Sequence, residues 1–157
     1  MKLVSLAALA LMASPAALAA EINVSYDPEF SEELVDNYGE REGDYLTREI
    51  REDLTRELEK AGMEIARIDV TIIDARPNKP TFKQLGDNVA LDFGRSKSTG
   101  GMKLSATAFD ADGNETGELT YKWYENDIRF AGISTWHDAD RASNRFARKF
   151  VKKLGDA

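Results

Sequence analysis

Two stretches of this chain repeat an apolar residue at every fourth position, and this repeat limits most strongly what the chain can fold into. The first repeat consists of Leu46, Ile50, Leu54 and Leu58, and the second of Ala142, Phe146, Phe150 and Leu154. Such spacing places the apolar side chains on one face of a helix. The sequence therefore predicts amphipathic helices over residues 45–61 and from Asp138 onward. Asp138 is the expected N-cap of the second helix, and Gly62 and Gly155 are the expected ends.

Alternating apolar and polar residues predict short strands around the two helices. The predicted strands are residues 22–26, 65–75, 102–109 and 117–125. Ile73 interrupts the polar side of the second strand. The last two strands are joined through Asp112 and Gly113, a pair that tight hairpin turns prefer.

A hairpin centred on Asp112 and Gly113 has a register that the sequence itself can test. One face then pairs Ala106 with Leu119, Leu104 with Tyr121 and Met102 with Trp123, while the other pairs Ser105 with Thr120, Thr107 with Glu118 and Lys103 with Lys122. One face is thus apolar and the other polar, as a half-buried sheet requires. A slip of two residues would preserve both faces, so the pattern predicts the buried side more firmly than the pairing.

The order of elements predicts an α+β fold: a two-layer sandwich with a mostly antiparallel sheet of about four or five strands and two amphipathic helices on one face. Residues 29–44 are acidic and poor in large apolar groups, and we expect an exposed segment with at most one helical turn. Two prolines open residues 76–101, which predicts a long loop that holds at most a brief strand at residues 89–93.

The N-terminus has the pattern of an export signal. Lys2 precedes an apolar run from Leu3 to Ala13, and the segment 17–19 reads Ala-Leu-Ala, which suits a signal peptidase. A retained membrane helix is the alternative, but spanning needs about 20 apolar residues. We expect residues 1–19 to be a cleaved signal peptide and residues 20–157 to form a single globular domain, soluble in the periplasm or secreted, with no membrane span after cleavage.

Composition removes several classes of function. The net charge is −7, and it becomes −8 once Lys2 leaves with the signal peptide, which disfavours nucleic acid and anionic membranes as partners. The chain has no cysteine, so disulfides, thiol nucleophiles and a lipid-anchored export signal are excluded. Its one histidine, His137, excludes metal sites that need two imidazoles. The sequence predicts no cofactor and no metal.

Two further motifs are weak. Residues 110–114 resemble the start of a calcium loop, but Glu115 stands where that loop needs glycine and Tyr121 where it needs glutamate, so a hairpin turn is favoured. Residues 94–101 combine glycine, hydroxyl and basic residues in a composition that suits an anion. Their spacing does not match a nucleotide-binding loop, so a plain connection is the alternative.

The remaining binding hypotheses rest on three regions. The long loop offers basic and amide groups, the start of the second helix offers an aromatic residue and a histidine, and the basic face of that helix suits an acidic partner or the acidic residues 29–44 of this chain or of a second copy. A solvated basic face and a capped helix are the alternatives. The candidate binding residues are Arg76, Asn78, Arg95, Lys97, Trp136, His137, Arg145, Arg148 and Lys152.

Three functions stay open on the sequence alone. The first is a non-enzymatic binding module with a protein partner in the cell envelope. The second is a hydrolase for extracytoplasmic sugars or peptides. Its carboxylates would be Asp74 or Asp92, with Arg76, Arg95 or His137, in a cleft beside the hairpin. The third is a purely structural envelope protein. The identity of the ligand and the oligomeric state do not follow from the sequence.

Overall fold

The computed structural model describes residues 19–156, so the predicted signal peptide lies outside the described residues except for Ala19. The strands are β1 (Glu21–Tyr26), β2 (Arg67–Arg76), β3 (Gly101–Phe109) and β4 (Glu115–Tyr124). The helices are α1 (Pro28–Glu33), α2 (Glu40–Ala61), α3 (Phe82–Asp87) and α4 (His137–Gly155), and a π-helical turn at Leu34–Tyr38 joins α1 to α2.

The four strands form one mixed sheet in the order β1-β2-β3-β4. β1 runs parallel to β2, and the crossover that a parallel pair needs is supplied by α1 and α2. The other two pairings are antiparallel, and the β3–β4 hairpin has the predicted register, with Leu104 opposite Tyr121. The prediction of an α+β fold with a mostly antiparallel sheet is confirmed.

The two predicted amphipathic helices form the second layer, and their apolar stripes are buried. Leu46, Ile50 and Leu54 of α2 and Phe146 and Phe150 of α4 are fully buried. They pack in one hydrophobic cluster with the helix-facing side chains of β2 and β3, among them Ile68, Ile72 and Leu104. No helix within residues 19–156 has the length and apolar character needed to cross a membrane.

Gly62 and Gly101 occupy positions that their backbone geometry explains. Gly62 follows α2 in a left-handed conformation with φ +59°, so the predicted end of that helix is confirmed. Gly101 begins β3 with φ +154°, and a Cβ there would lie 2.3 Å from the carbonyl oxygen of Trp123. A side chain at position 101 would therefore force β3 and β4 apart.

The opposite face of the sheet is polar. One row across all four strands consists of hydroxyl side chains: Ser25, Thr71, Ser105 and Thr120. The register shifts between Ile72 and Asp74, so a β-bulge accommodates Ile73. The interruption of the polar pattern at this residue thus has a structural cause, and after the bulge Asp74 pairs with Lys103 in the polar face.

The expectation of an exposed segment at residues 29–44 is wrong. Phe30, Leu34 and Tyr38 are buried in the core, and α2 begins at Glu40 rather than at residue 45. These three side chains recur at every fourth position, which is the same helical signal that marks the two longer helices. The surrounding carboxylates point to solvent and masked that signal in the composition.

Two expectations around the long loop are also wrong. Residues 89–93 form turns rather than a strand, and the loop contains α3, which begins with a capping box between Thr81 and Gln84. Asp138 is not an N-cap, because α4 begins one residue earlier and the side chain of Asp138 is fully buried in the first turn. Its carboxylate instead accepts hydrogen bonds from Asn78 and Gly100, which are distant in the sequence.

Candidate functional site

Asn78 ties together three segments at the end of the sheet where β2 leaves and β3 begins. Its backbone N–H donates to the carbonyl of Thr135 at 2.7 Å, and its side-chain Nδ2 donates to the carbonyl of Ser98 at 3.1 Å and to the carboxylate of Asp138. The backbone N–H of Asp138 donates in return to Asn78 Oδ1 at 2.8 Å. Asn78 is fully buried, so this candidate binding residue positions the loop and is not itself accessible to a ligand.

Asp138 completes the same buried network. Its carboxylate also accepts hydrogen bonds from the backbone N–H of Gly100 at 3.2 Å and from Arg141 Nη1 at 3.3 Å. A buried carboxylate is tolerable when it is paired and hydrogen-bonded in this way. The long loop is therefore anchored at both ends, to α4 and to the segment that precedes it.

Within residues 19–156, all of the exposed large apolar side chains except Val35 belong to the segments 82–93 and 128–133. Phe82 is 87% exposed, Ile133 is 79% exposed, and the segments that carry them, residues 80–93 and 128–135, lie side by side. Within residues 19–156 the exposed large apolar side chains are Val35, Phe82, Val89, Phe93, Ile128, Phe130 and Ile133. None belongs to the sheet or to the two long helices.

A groove of about 260 Å³, here called the loop groove, lies between these segments and the start of α2. It is lined by Pro80, Phe82, Leu85 and Phe93 from the long loop, Ser134, Thr135 and Trp136 from the segment before α4, and Glu42 and Tyr45 from α2. The lining is mostly aromatic and aliphatic, and the groove has room for one large apolar side chain. It is smaller than the roughly 300–1,000 Å³ typical of small-molecule pockets.

Trp136 forms a fixed wall of the loop groove. The indole Nε1–H donates to Glu42 Oε2 at 2.6 Å, and the ring meets Tyr38 edge to face with centroids 5.5 Å apart. The tryptophan is buried, so this candidate residue shapes the groove through one ring surface. Glu42 is the only charged group in the lining, so the charge of the groove is negative.

A second concavity, of about 440 Å³, lies on the other side of Pro80 and brings together three cationic side chains, Arg76, Lys79 and Lys97. We call it the basic concavity. Three of the predicted binding residues, Arg76, Asn78 and Lys97, therefore line one site. Arg95 does not line it: its backbone N–H donates to the Asp92 carboxylate at 2.8 Å in an exposed turn.

Two of the predicted binding residues on the basic face of α4, Arg145 and Lys152, contact other residues of this protein. The guanidinium of Arg145 lies 4.2 Å from the ring centroid of Trp123 on β4, and Lys152 pairs with Asp156 at 3.1 Å. Arg145, Arg148 and His137 also line a shallow depression between α2 and α4. Among the described residues, no ion pair joins α4 to the acidic residues 29–44.

The residues of the hydrolase hypothesis are in separate places. Asp74 accepts a hydrogen bond from Tyr124 and pairs with Arg76 at 3.4 Å on the polar sheet face. Burial and the neighbouring Asp74 raise the pKa of Tyr124 above its usual value, so it remains a donor. Asp92 and His137 lie outside the depression that contains Asp74. Within residues 19–156 no three metal-ligating side chains cluster.

Sequence reasoning missed the residues that make the loop groove. Phe82 and Phe93 are large aromatic residues in a segment rich in proline, glycine and polar residues, where no core side chain is expected. That mismatch was the available signal. Glu42 and Tyr45 carry no such signal, because only the docking of the loop against α2 brings them into the site.

Asp140 gives the contact between α2 and α4 a pH dependence. Its Oδ2 accepts from the hydroxyl of Tyr45 at 2.9 Å, whereas its Oδ1 is buried without a hydrogen-bond partner. Burial, with Glu49 and Asp53 nearby, raises the pKa of Asp140 from 3.8 to about 6. The folded state thus prefers the protonated form, and ionisation above pH 6 costs stability.

We expect Asp140→Asn to remove a pH-dependent destabilisation of about 1–2 kcal/mol, since a shift of one pKa unit corresponds to 1.36 kcal/mol and partial exposure reduces it. The cost is present above pH 6 and disappears as the pH falls from 6 to 3.8. Urea unfolding at pH 8 and pH 5 measures it for wild type, Asp140→Asn and the exposed control Asp156→Asn. If the stability difference between Asp140→Asn and wild type is the same at both pH values, the prediction is wrong.

Comparison of the sequence with models of known protein families finds no match, and comparison with curated proteins finds none either. The geometry of the loop groove and of the basic concavity is therefore the basis on which a function is inferred.

Proposed function

We propose that this protein is a non-enzymatic binding module that holds an apolar segment of a partner protein in the loop groove. The observation that carries the proposal is that, among the described residues, every exposed large apolar side chain except Val35 belongs to the segments 82–93 and 128–133, and that two of them, Phe82 and Phe93, line the groove. Exposed apolar patches on a folded domain mark interaction surfaces, because leaving them in water is unfavourable.

The charges around the groove indicate the chemistry of the partner. Glu42 is the only charged residue in the lining. A segment with large apolar side chains and a lysine or arginine complements this carboxylate, whereas an acidic segment is repelled. We infer that the partner supplies a basic and apolar segment.

The rigidity of the groove supports binding without a large ordering cost. The network of Asn78 and Asp138 holds the long loop against α4, and Trp136 is fixed by Glu42 and Tyr38. A preformed site loses less conformational entropy when it binds than a mobile one does. The export signal predicted over residues 1–19 supports a partner outside the cytoplasm, in the cell envelope or beyond it.

We expect a peptide that alternates lysine with phenylalanine and leucine to bind the loop groove, and the double variant Phe82→Ser, Phe93→Ser to weaken binding by about tenfold or more. Tenfold corresponds to about 1.4 kcal/mol, a fraction of the burial energy of two aromatic side chains. Trp136 lies in the groove wall, so tryptophan fluorescence reports the titration, with calorimetry as an independent measurement.

Two peptides and one variant serve as controls. A lysine and serine peptide tests charge alone, and a glutamate, phenylalanine and leucine peptide tests repulsion by Glu42. Met63→Gln reduces an apolar surface at the far end of α2, which is about 33 Å away at 1.5 Å per residue. Equal binding of all three peptides, or equal weakening by Met63→Gln and the double variant, would contradict the proposal.

A further inference from the structure

We propose that the basic concavity is a binding site for a small oxyanion of the phosphate class. Arg76, Lys79 and Lys97 provide positive charge on one side of the segment 77–80, and the loop groove lies on the other side. The two sites share only Pro80 in their linings, so anion binding does not depend on the proposed protein partner.

The charge of the concavity is opposite to that of the protein. None of its twelve lining residues is acidic, although the chain has 28 acidic residues and a net charge of −7. Arg76 is partly neutralised by Asp74, whose carboxylate lies 3.4 Å from its Nε. Lys79 and Lys97 form no ion pair with any described carboxylate, so their charges remain available to an anion.

Lys79 is the unusual member of the site, because its side chain is only 8% exposed. The ammonium donates one hydrogen bond, to the carbonyl of Gly94 at 3.1 Å, and lies 5.9 Å from the ring centroid of Phe93. An ammonium has three donors, so two are not used by the protein. A buried cation without a counter-ion is unfavourable, and an incoming anion relieves that cost.

The walls of the concavity are held in place before any anion arrives. The backbone N–H of Ser98 donates to the carbonyl of Asn78 at 2.9 Å, and its hydroxyl donates to the carbonyl of Pro77 at 2.7 Å. The backbone N–H of Thr81 fixes Gln84 Oε1 at 3.0 Å, which leaves Gln84 Nε2 as a donor. Thr99 adds a hydroxyl to the lining.

The donors fit a compact oxyanion better than an extended ligand. The lining combines cationic, amide and hydroxyl groups, which are the groups that bind phosphate oxygens, and a doubly charged anion gains most from two ammonium groups that form no ion pair. Free phosphate and a phosphate ester share this chemistry. Inorganic phosphate and glycerol 3-phosphate, titrated separately, distinguish the two sources.

The test is a titration of the ¹⁵N-labelled protein over residues 20–157 with inorganic phosphate, at constant ionic strength maintained with sodium chloride. We expect saturable amide shifts at residues 78–79 and 96–99, with a dissociation constant below about 5 mM. Lys97→Gln removes an exposed cation of the site and should weaken binding by about fivefold or more. Lys149→Gln makes the same charge change on α4 and should weaken it less than about twofold.

Either of two results would overturn the proposal: shifts that increase linearly without saturation up to about 20 mM phosphate, or equal weakening by Lys97→Gln and Lys149→Gln, which would show general charge screening. Tighter binding of glycerol 3-phosphate than of inorganic phosphate supports the same site with an ester as its ligand. Phe82→Ser, at a loop-groove residue that does not line the basic concavity, should retain phosphate binding, so failure of the loop-groove proposal is distinguishable from failure of this one.

Discussion

Asp138→Ala is expected to lower the free energy of unfolding by about 3–4 kcal/mol at pH 7. The substitution removes a fully buried carboxylate and leaves one N–H of Asn78 Nδ2 and the backbone N–H of Gly100 without an acceptor, while the other N–H of Nδ2 keeps its hydrogen bond to Ser98. Arg141 loses one of its two carboxylate partners, and Glu125 at 3.5 Å is the one that remains. Each buried donor without an acceptor adds a desolvation cost.

Urea unfolding followed by circular dichroism measures this effect, with Asp156→Ala as the matched control. Asp156 is an exposed acid near the other end of α4, and its pairing with Lys152 contributes about 0.5 kcal/mol or less. A double-mutant cycle of Asn78→Ala with Asp138→Ala should show a coupling energy of about 1–3 kcal/mol. Equal effects of Asp138→Ala and Asp156→Ala would show that the buried network does not stabilise the fold.

Phe146→Ala is expected to lower the free energy of unfolding by about 3–5 kcal/mol, the largest effect of any single substitution proposed for this protein. Phe146 is fully buried between the sheet and α2, and its ring stacks on Phe150 with centroids 5.6 Å apart. Truncation removes buried apolar area and leaves a cavity, because the rigid sheet next to it can relax only in part.

Phe82→Ala is the matched control for this substitution, since it makes the same chemical change in an exposed loop. We expect its effect on stability to stay within about 0.5 kcal/mol. Phe146→Leu, which keeps most of the apolar volume, should lie between the two. A loss of similar size for Phe82→Ala and Phe146→Ala would contradict the assignment of Phe82 to the surface and of Phe146 to the core.

The sequence predicted those parts of the fold that local periodicity specifies. The apolar stripes of α2 and α4 and the alternation in β3 and β4 each depend on residues within one or two turns or strands. The buried face of the hairpin followed as well, and the predicted pairs from Met102–Trp123 to Thr107–Glu118 agree with the structure, although the register shifts before Phe109, which pairs with Glu115. Burial of the predicted faces in the structure confirms that these patterns report the core.

Predictions based on composition failed where apolar residues were outnumbered. Phe30, Leu34 and Tyr38 face the core at every fourth position, but the carboxylates around them made residues 29–44 read as exposed chain. A helix needs only a narrow apolar stripe, so an acidic average does not exclude one. Asp138 had the identity of an N-cap, yet its carboxylate binds Asn78 and Gly100, which are distant in the sequence.

The candidate site shows the same division. Arg76 and Lys97 could be proposed from their place in a basic, hydroxyl-rich loop, and they share the basic concavity. Lys79 could not, because nothing local indicates that its side chain is buried without an acidic partner. The loop groove combines Phe82 and Phe93 with Glu42 from a helix about 40 residues earlier. That proximity arises from tertiary packing alone.

The sequence by itself determined the α+β class, the two long helices, the hairpin and its buried face, because each is specified by the spacing of neighbouring residues. Only the tertiary structure decided that the long loop is anchored by Asn78 and Asp138, that its aromatic residues form a groove against α2, and that Lys79 is buried in a basic concavity. These features depend on contacts between residues far apart in the chain. Such contacts leave no periodic trace in the sequence, because one buried hydrogen bond needs only one residue on each side.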